Sequence, residues 1–316
     1  MKKAFITGIS GFVGSHLAEL LLQKKLEVHG LLRWRAKTEN IDHLKNKLVL
    51  HEGDLLDAHS LDSVMVEIKP DYIFHLAAQS FVPASWKFPT ATLQVNVIGS
   101  ANLFEAVKKS GLDPTIQIAG SSEEYGLVYP NETPITEENP LRPLSPYGVS
   151  KVATDFLGFQ YYKSYGMKIV RTRGFNHTGP RRGEVFVTSN FAKQIAEIEK
   201  GERKVLKVGN LSVKRDFSDV RDVARAYFLA VEKCIPGEVY NVCSEKCYTI
   251  REMLDMLIDL SKAKIRVEED PARMRPADVE LLLGNCQKFR KQTGWKNEFP
   301  FKKTLEDLLN YWREKV

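Results

Sequence analysis

Through the first half of the chain, short apolar runs alternate with longer amphipathic ones. Lys3 to Thr7 reads as a strand, and Ser15 to Gln23 as a helix whose leucines and alanine share one face. Glu27 to Leu32, Leu48 to His51, Tyr72 to Ala77 and Thr115 to Ala119 supply a second to a fifth strand, with a helical run over Ala91 to Lys109 before the last. Strands separated by helical runs of this length predict the α/β class, as a Rossmann-type doubly wound parallel sheet. Such a sheet binds ligands at the carboxyl ends of its strands. Beyond Tyr125 the prolines 130, 134, 140, 143 and 146 punctuate a loop ending at Tyr147, where a long helix to about Tyr165 begins. Lys168 to Arg173 is another strand, and the texture beyond Phe175 is mixed. Asp219 to Lys233 and Glu238 to Val242 read as a helix and strand returning to the sheet. The pattern predicts a nucleotide-binding domain over 1–175 with 218–243 returning to it. A smaller mixed α/β lobe, built from 176–217 and 244–316, would bind the substrate.

Composition narrows the class. Of 316 residues, 43% are hydrophobic and 27% charged, which suits a globular enzyme and excludes a disordered chain. No apolar run approaches the ~20 residues needed to cross a bilayer, so no membrane partner is expected. Met1-Lys2-Lys3 leads directly into an apolar stretch too short for a signal peptide, so a cytoplasmic location is expected. Forty-six basic against 40 acidic residues give a net charge of +6. These charges are interspersed, without the clustered basic face of a nucleic-acid binder, so no nucleic acid is expected. Cys234, Cys243, Cys247 and Cys286 lack the paired spacing and nearby histidines of a zinc site, so they read as reduced thiols and no metal is expected.

Three groups of residues carry chemistry. Thr7-Gly8-Ile9-Ser10-Gly11-Phe12-Val13-Gly14 follows the first strand and opens the first helix. Glycines there let the backbone turn and approach a pyrophosphate seated on helix amides. At the end of the second strand an acid would hold a ribose, whereas arginine accommodates an added phosphate. Leu31-Leu32-Arg33-Trp34-Arg35 has no acid, so Arg33 and Arg35 point to NADP, with NAD possible. Asp54 reads equally as an adenine contact or a helix cap. Tyr147 and Lys151 stand at i and i+4 on one helical face. An ammonium beside a phenol lowers its pKa, which suits proton exchange near neutrality. Ser121 and Glu123 follow the fifth strand, where a hydroxyl and a carboxylate meet a substrate.

Together these residues resemble the extended short-chain dehydrogenase/reductase family, over essentially the whole chain. The resemblance implies Ser121, Tyr147 and Lys151 as the catalytic set, joined by Glu123. It implies cofactor contacts from Gly8, Gly11, Phe12, Val13, Gly14, Arg33, Arg35, Asp54, Leu55, Leu76, Ala77, Ala78, Tyr147 and Lys151. Phe175-Asn176-His177, Gly179-Pro180-Arg181-Arg182-Gly183-Glu184, Phe186-Val187-Thr188, Gly209-Asn210-Leu211, Lys214-Arg215-Asp216 and Arg275-Pro276-Ala277-Asp278-Val279 resemble the GDP-mannose 4,6-dehydratases. Those segments imply a GDP-sugar pocket with contacts from Ser80, Ser122, Glu123, Asn176, Val187, Lys193, Arg215 and Arg275. Gly11-Phe12-Val13-Gly14, Asp216 to Asp222, Asp270 to Arg275 and a short C-terminal lobe resemble instead the GDP-4-keto-6-deoxymannose reductases, as does Ser189-Asn190, where the dehydratases carry Arg-Lys. The expectation is a dehydratase acting on GDP-mannose, with the reductase of GDP-4-keto-6-deoxymannose as the alternative and a non-catalytic NADP-binding sensor as a third. A homodimer or homotetramer is implied, through helices including Ala91 to Lys109 and Tyr147 to Tyr165.

Overall fold

A computed structural model describes residues 1–273 and 279–316. In chain order it forms β1 (Lys3–Thr7), α1 (Phe12–Gln23), β2 (Glu27–Leu32), β3 (Val49–Glu52), α2 (Ala58–Ile68), β4 (Tyr72–His75), α3 (Val82–Lys87), α4 (Pro89–Leu93), α5 (Gly99–Ser110), β5 (Thr115–Ser121), α6 (Pro146–Tyr165) and β6 (Ile169–Gly174). There follow β7 (Asn176–Thr178), α7 (Val187–Glu199), β8 (Leu206–Val208), β9 (Lys214–Asp219), α8 (Val220–Lys233), β10 (Val239–Val242), β11 (Cys247–Thr249), α9 (Ile250–Asp259), β12 (Val267–Glu269), β13 (Leu281–Leu282), α10 (Gln287–Thr293) and α11 (Phe301–Lys315).

Seven strands form one sheet in the order β10-β6-β5-β4-β1-β2-β3, parallel at every pairing. The period of two along β1 sorts its side chains between two cores. Ala4 and Ile6 pack with Leu17 and Leu21 of α1 and Val223 of α8. Phe5 faces the opposite layer with Leu61 and Met65 of α2 and Phe104 of α5. Every residue of β4 and of β6 is buried, as a parallel sheet covered on both faces requires. A third core joins α7, α9 and α11 through Phe191, Ile195, Met253, Leu257, Leu305 and Trp312. No helix among the described residues is long and apolar enough to cross a membrane.

The chain runs from β1 to β2 on one side and reaches β4 on the other, so a crevice opens beyond the carboxyl ends of β1 and β4. Thr7 closes its floor. Its Oγ1 accepts from the amides of Leu76 and Ala77, each at 3.1 Å, and meets His75 Nδ1 at 2.9 Å. Burial holds His75 neutral, with its pKa lowered to about 3.

Several boundaries differ from the hydrophobic pattern, among them the start of α1 at Phe12 rather than Ser15 and the end of β4 at His75 rather than Ala77; two others have a visible cause. The run Ala91 to Lys109 is not one helix. A π-helical turn over Gln94–Ile98 separates α4 from α5. Its cause is Asn96, buried within the turn. The amide donates to Gln79 O at 3.0 Å and Ser150 Oγ at 2.9 Å, and the carbonyl accepts from Gln79 N at 2.8 Å. Helix α8 begins at Val220 because Asp219 ends β9 and caps the helix, accepting from Arg221 N at 2.8 Å.

Phe74 has no exposed surface in the central strand β4. Phe74→Ala should cost about 3–5 kcal/mol, read as a lower urea midpoint. An unchanged midpoint would show that the sheet collapses around the cavity.

Candidate active site

The glycine loop builds the inner wall of the crevice. Gly8 adopts a left-handed φ of 75°, and a Cβ there would stand 3.0 Å from the Ala77 backbone. A Cβ on Gly14 would lie 2.2 Å from Gly8 O, so α1 can approach β1 only through glycine. Helix α1 has no side-chain cap and no acidic residue in its first turn. Its first amides and the positive end of its dipole are therefore available to an anion. Phe12 covers this end, stacked on His177 with ring centroids 5.9 Å apart.

At the outer end Arg33, Trp34, Arg35 and Asp54 line a cleft of about 520 Å³. Arg35 lies over the Trp34 ring at 4.9 Å. Neither arginine has an ion pair among the described residues, an arrangement that fits a phosphate. Asp54 spends its Oδ1 on Leu56 N at 2.9 Å, so this carboxylate stabilises its own turn, while Asp57 caps α2. Leu55 is buried beneath the cleft, and Asn102 Nδ2 donates to its carbonyl at 2.9 Å. Leu76, Ala77 and Ala78 leave β4 opposite Gly8, where their backbone faces the crevice.

The candidate catalytic groups meet where β5 ends against α6. Ser145 caps α6 by accepting from Gly148 N at 3.0 Å, which brings Tyr147 into the first turn. The Tyr147 hydroxyl shares a hydrogen bond with the Ser121 side chain. Ser121 Oγ also accepts from Glu123 N at 3.2 Å. Glu123 lies close enough to raise the Tyr147 pKa by its charge. Thus Ser121, Glu123, Tyr147 and Lys151 are brought to one place.

The electrostatics differ from the expected pattern. Burial lifts the Tyr147 phenol above its usual pKa, and Ser121 and Arg182 only partly offset this. Lys151 does not lower it. Its Nζ turns to Ala119 O at 2.7 Å and stands 5.9 Å from the Tyr147 ring centre. Burial also lowers Lys151 to about 8, against a pull upward from Glu124.

Arg182 is the residue that motif reading quotes without a role. Its guanidinium is held over the Phe186 ring at 3.4 Å and the Phe12 ring at 4.9 Å. Burial lowers it to about 10, and the charge that supports it is Tyr147 rather than a carboxylate. A second arginine in the same turn fixes this loop to α1. Arg181 donates to Glu19 at 2.8 Å, and His16 meets Pro180 O at 2.9 Å. The basic pair after Gly179-Pro180 is visible in the sequence, but the partners that separate Arg181 (Glu19) from Arg182 (Phe12 and Phe186) are not.

The expected substrate contacts are placed unevenly. Asn176 opens β7 and carries a buried Nδ2 with no hydrogen-bond partner. Val187 begins α7, whose N-terminus has neither a side-chain cap nor an acid in its first turn. Lys193 is paired with Glu184 and lies 3.8 Å from Glu197. Arg215 Nη1 donates to the Val279 and Lys214 carbonyls, at 2.5 and 2.9 Å. Ser80 is exposed at the rim, and Ser122 is buried under its turn. Arg275 lies outside the described residues. Ser189 and Asn190 serve as fasteners. Ser189 Oγ bonds to Arg182 O at 2.5 Å and accepts from Trp312 Nε1 at 2.8 Å. Asn190 accepts from Arg273 at 2.8 Å.

A family described as GDP-mannose 4,6 dehydratase matches residues 5–308. The GDP-6-deoxy-D-mannose reductase of Pseudomonas aeruginosa is 36% identical over 316 residues, covering 100% of this chain and 98% of that protein. The GDP-mannose 4,6-dehydratase of Vibrio cholerae is 33% identical over 348 residues, covering 98% of this chain and 93% of that one. The solved structure of RMD from Pseudomonas aeruginosa complexed with NADPH superposes with a TM-score of 0.87 at 35% identity, covering 100% of both chains.

The buried ammonium has a cost that stability measurements can read. Because Lys151 binds its proton less tightly when folded (about 8) than when free (10.5), stability should rise with pH between these values. Lys151→Met should therefore raise the urea midpoint at pH 7. A lower midpoint would mean that the lost bond to Ala119 outweighs the relief of burial.

Proposed function

The chain belongs to the GDP-mannose 4,6-dehydratase family of extended short-chain dehydrogenase/reductases, and within it we propose that this protein dehydrates GDP-mannose to GDP-4-keto-6-deoxymannose using NADP. The observation that carries this reading is the carboxylate of Glu123, which acts on the Tyr147 phenol from the turn that also holds Ser121. Dehydration needs an acid/base at C5 and C6 beyond the group serving O4, and Glu123, beside Tyr147, would supply that second group.

The uncapped first turn of α1 would hold the pyrophosphate, Arg33 and Arg35 the added phosphate, and Lys151 the nicotinamide ribose. Bound there, NADP would accept a hydride from C4 and return it to C6. Tyr147, acting as the phenolate, would take the O4 proton, while Ser121 holds that oxygen by a hydrogen bond. Glu123 would remove the C5 proton and protonate the departing C6 hydroxyl, so that water leaves. Arg182, buried without a carboxylate, would face the anionic portions of the ligands. Asn176 would give its unpartnered amide to the substrate, with Val187, Lys193, Arg215 and Arg275 around the nucleotide. In this reading 1–175 and 218–243 hold the dinucleotide, and 176–217 with 244–316 hold the GDP-sugar.

A specific observation favours a second reading, reduction of GDP-4-keto-6-deoxymannose with NADPH. The Pseudomonas aeruginosa reductase aligns over 316 residues, whereas the Vibrio cholerae dehydratase needs 348. Tyr147 would then donate its proton to O4, and Glu123 would have no essential part.

We also propose that two or four chains associate through the α4–α5 and α6 faces. These expose Leu93, Ile98, Phe156 and Phe159, with Phe156 exposed by 54% and Ile98 by 51%. Such a patch is unusual on a monomer.

Mass spectrometry after incubation with GDP-mannose and NADP tests the reaction. The wild type should release product lighter by one water, and Glu123→Gln should slow this about 100- to 10,000-fold. Equal rates would remove Glu123 from the mechanism. Turnover of only the 4-keto sugar with NADPH would establish the reductase. Phe156→Asp should lower the mass found by light scattering, and an unchanged oligomer would place the interface elsewhere.

A further inference from the structure

Behind the reacting groups lies a buried carboxyl that the mechanism does not use. Glu124 has no exposed surface. Its Oε1 accepts from Ser121 N at 2.7 Å. Its Oε2 lies 3.0 Å from Arg173 Nε, which also reaches Asp155 Oδ2 at 3.1 Å. Asp155 is further held by Arg171 Nη1 at 2.6 Å. Asp155 stands one turn beyond Lys151 on α6, so the cluster joins the turn after β5, strand β6 and helix α6. The seat is tailored. A Cβ at Gly120 would come within 2.6 Å of Glu124 Oε1 and 2.8 Å of Thr172 O.

We propose that Glu124 is a positioning residue, which fixes the Ser121 peptide and supplies the negative charge that keeps Lys151 an ammonium. The inference rests on the proposed roles of Ser121 and Lys151 and adds the group that holds both. Against burial, the Glu124 charge favours the protonated form of Lys151. The groups facing Glu124 are Ser121 N from its own turn, Arg173 from β6, and Asp155 and Lys151 from α6. Burial and then Asp155 push the Glu124 carboxyl well above the usual carboxylate range, and Arg173, the Ser121 amide and Lys151 only partly offset them. With Glu124 ionised, the two carboxylates answer two of the three buried cations, Arg171, Arg173 and Lys151. Loss of the Glu124 charge would leave the cluster further from neutrality, which burial penalises.

Two substitutions separate charge from position. Glu124→Gln keeps an acceptor for Ser121 N–H but removes the charge. Glu124→Asp keeps the charge but draws it back by one methylene. NADPH affinity, followed by its fluorescence from pH 6 to 10, reads the Lys151 ammonium without any sugar substrate. In Glu124→Gln the loss of affinity at alkaline pH should begin about one pH unit lower than in the wild type, the usual size of a nearby opposite charge. In Glu124→Asp that limb should stay in place while kcat falls at least about tenfold with KM little changed, as for a displaced hydroxyl. Superimposable affinity curves for Gln and wild type would overturn the charge role. Wild-type kcat in the Asp variant would overturn the positioning role, and this arm stands if the Gln variant does not fold. If the wild type binds NADPH but converts no GDP-hexose, the proposed reaction fails while the affinity curves still decide the role of Glu124.

Discussion

One guanidinium, Arg173, holds the reacting turn to the sheet. It is 4% exposed and lies between the carboxyls of Glu124 and Asp155, with Nη1 donating to Tyr125 OH at 3.1 Å. Removing one member would leave a buried charge unpaired, at a cost of about 3–5 kcal/mol. The cluster therefore behaves as a unit. It ties together the turn with Ser121 and Glu123, strand β6, and the helix with Tyr147 and Lys151. Tyr125 extends the link by donating to Asn241 Oδ1 at 2.6 Å in β10. The end of β5 that carries the proposed catalytic groups is thus braced by the returning strand of the same sheet.

The ligand-facing side is built on the opposite principle, with polar groups left unspent. Among the described residues, the first turn of α1 has no side-chain cap, Arg33 and Arg35 have no ion pair, Arg182 rests on two rings, and Asn176 has a buried amide without a partner. The buried Asn176 amide forfeits hydrogen bonds that water would supply, a cost that points to a ligand, whereas Arg33 and Arg35 stay exposed to solvent. The convergence of these groups around one crevice is what an anionic dinucleotide and nucleotide sugar require.

Much of this was legible in the residues. Lys3–Thr7 and Glu27–Leu32 fold as strands where their patterns end, because Gly8 and the polar Arg33 terminate them. The glycine loop, the missing acid after β2, and the spacing of Tyr147 and Lys151 each report a backbone or charge requirement local in sequence. Other features depend on contacts distant in sequence. The π-turn at Asn96 depends on Gln79 and Ser150, and no periodicity reveals it. Lys151 was expected to act on the phenol, yet the nearby Ala119 carbonyl captures its proton-bearing end. Arg182 and its neighbour Arg181 look equivalent in sequence, and only their partners, Phe12 and Phe186 for one and Glu19 for the other, separate them. Glu124 likewise reads as one more acid in a run, until its seat against Gly120 is seen.

The central claim is that one site removes and returns the same hydride while Glu123 expels water. Incubating the protein with GDP-mannose deuterated at C4, and with far less NADP than sugar, tests it directly. The account predicts a 4-keto-6-deoxy product lighter by water that carries the deuterium on C6, in large excess over cofactor. Unreacted sugar, or deuterium trapped in NADPH in an amount no greater than the cofactor supplied, would contradict it.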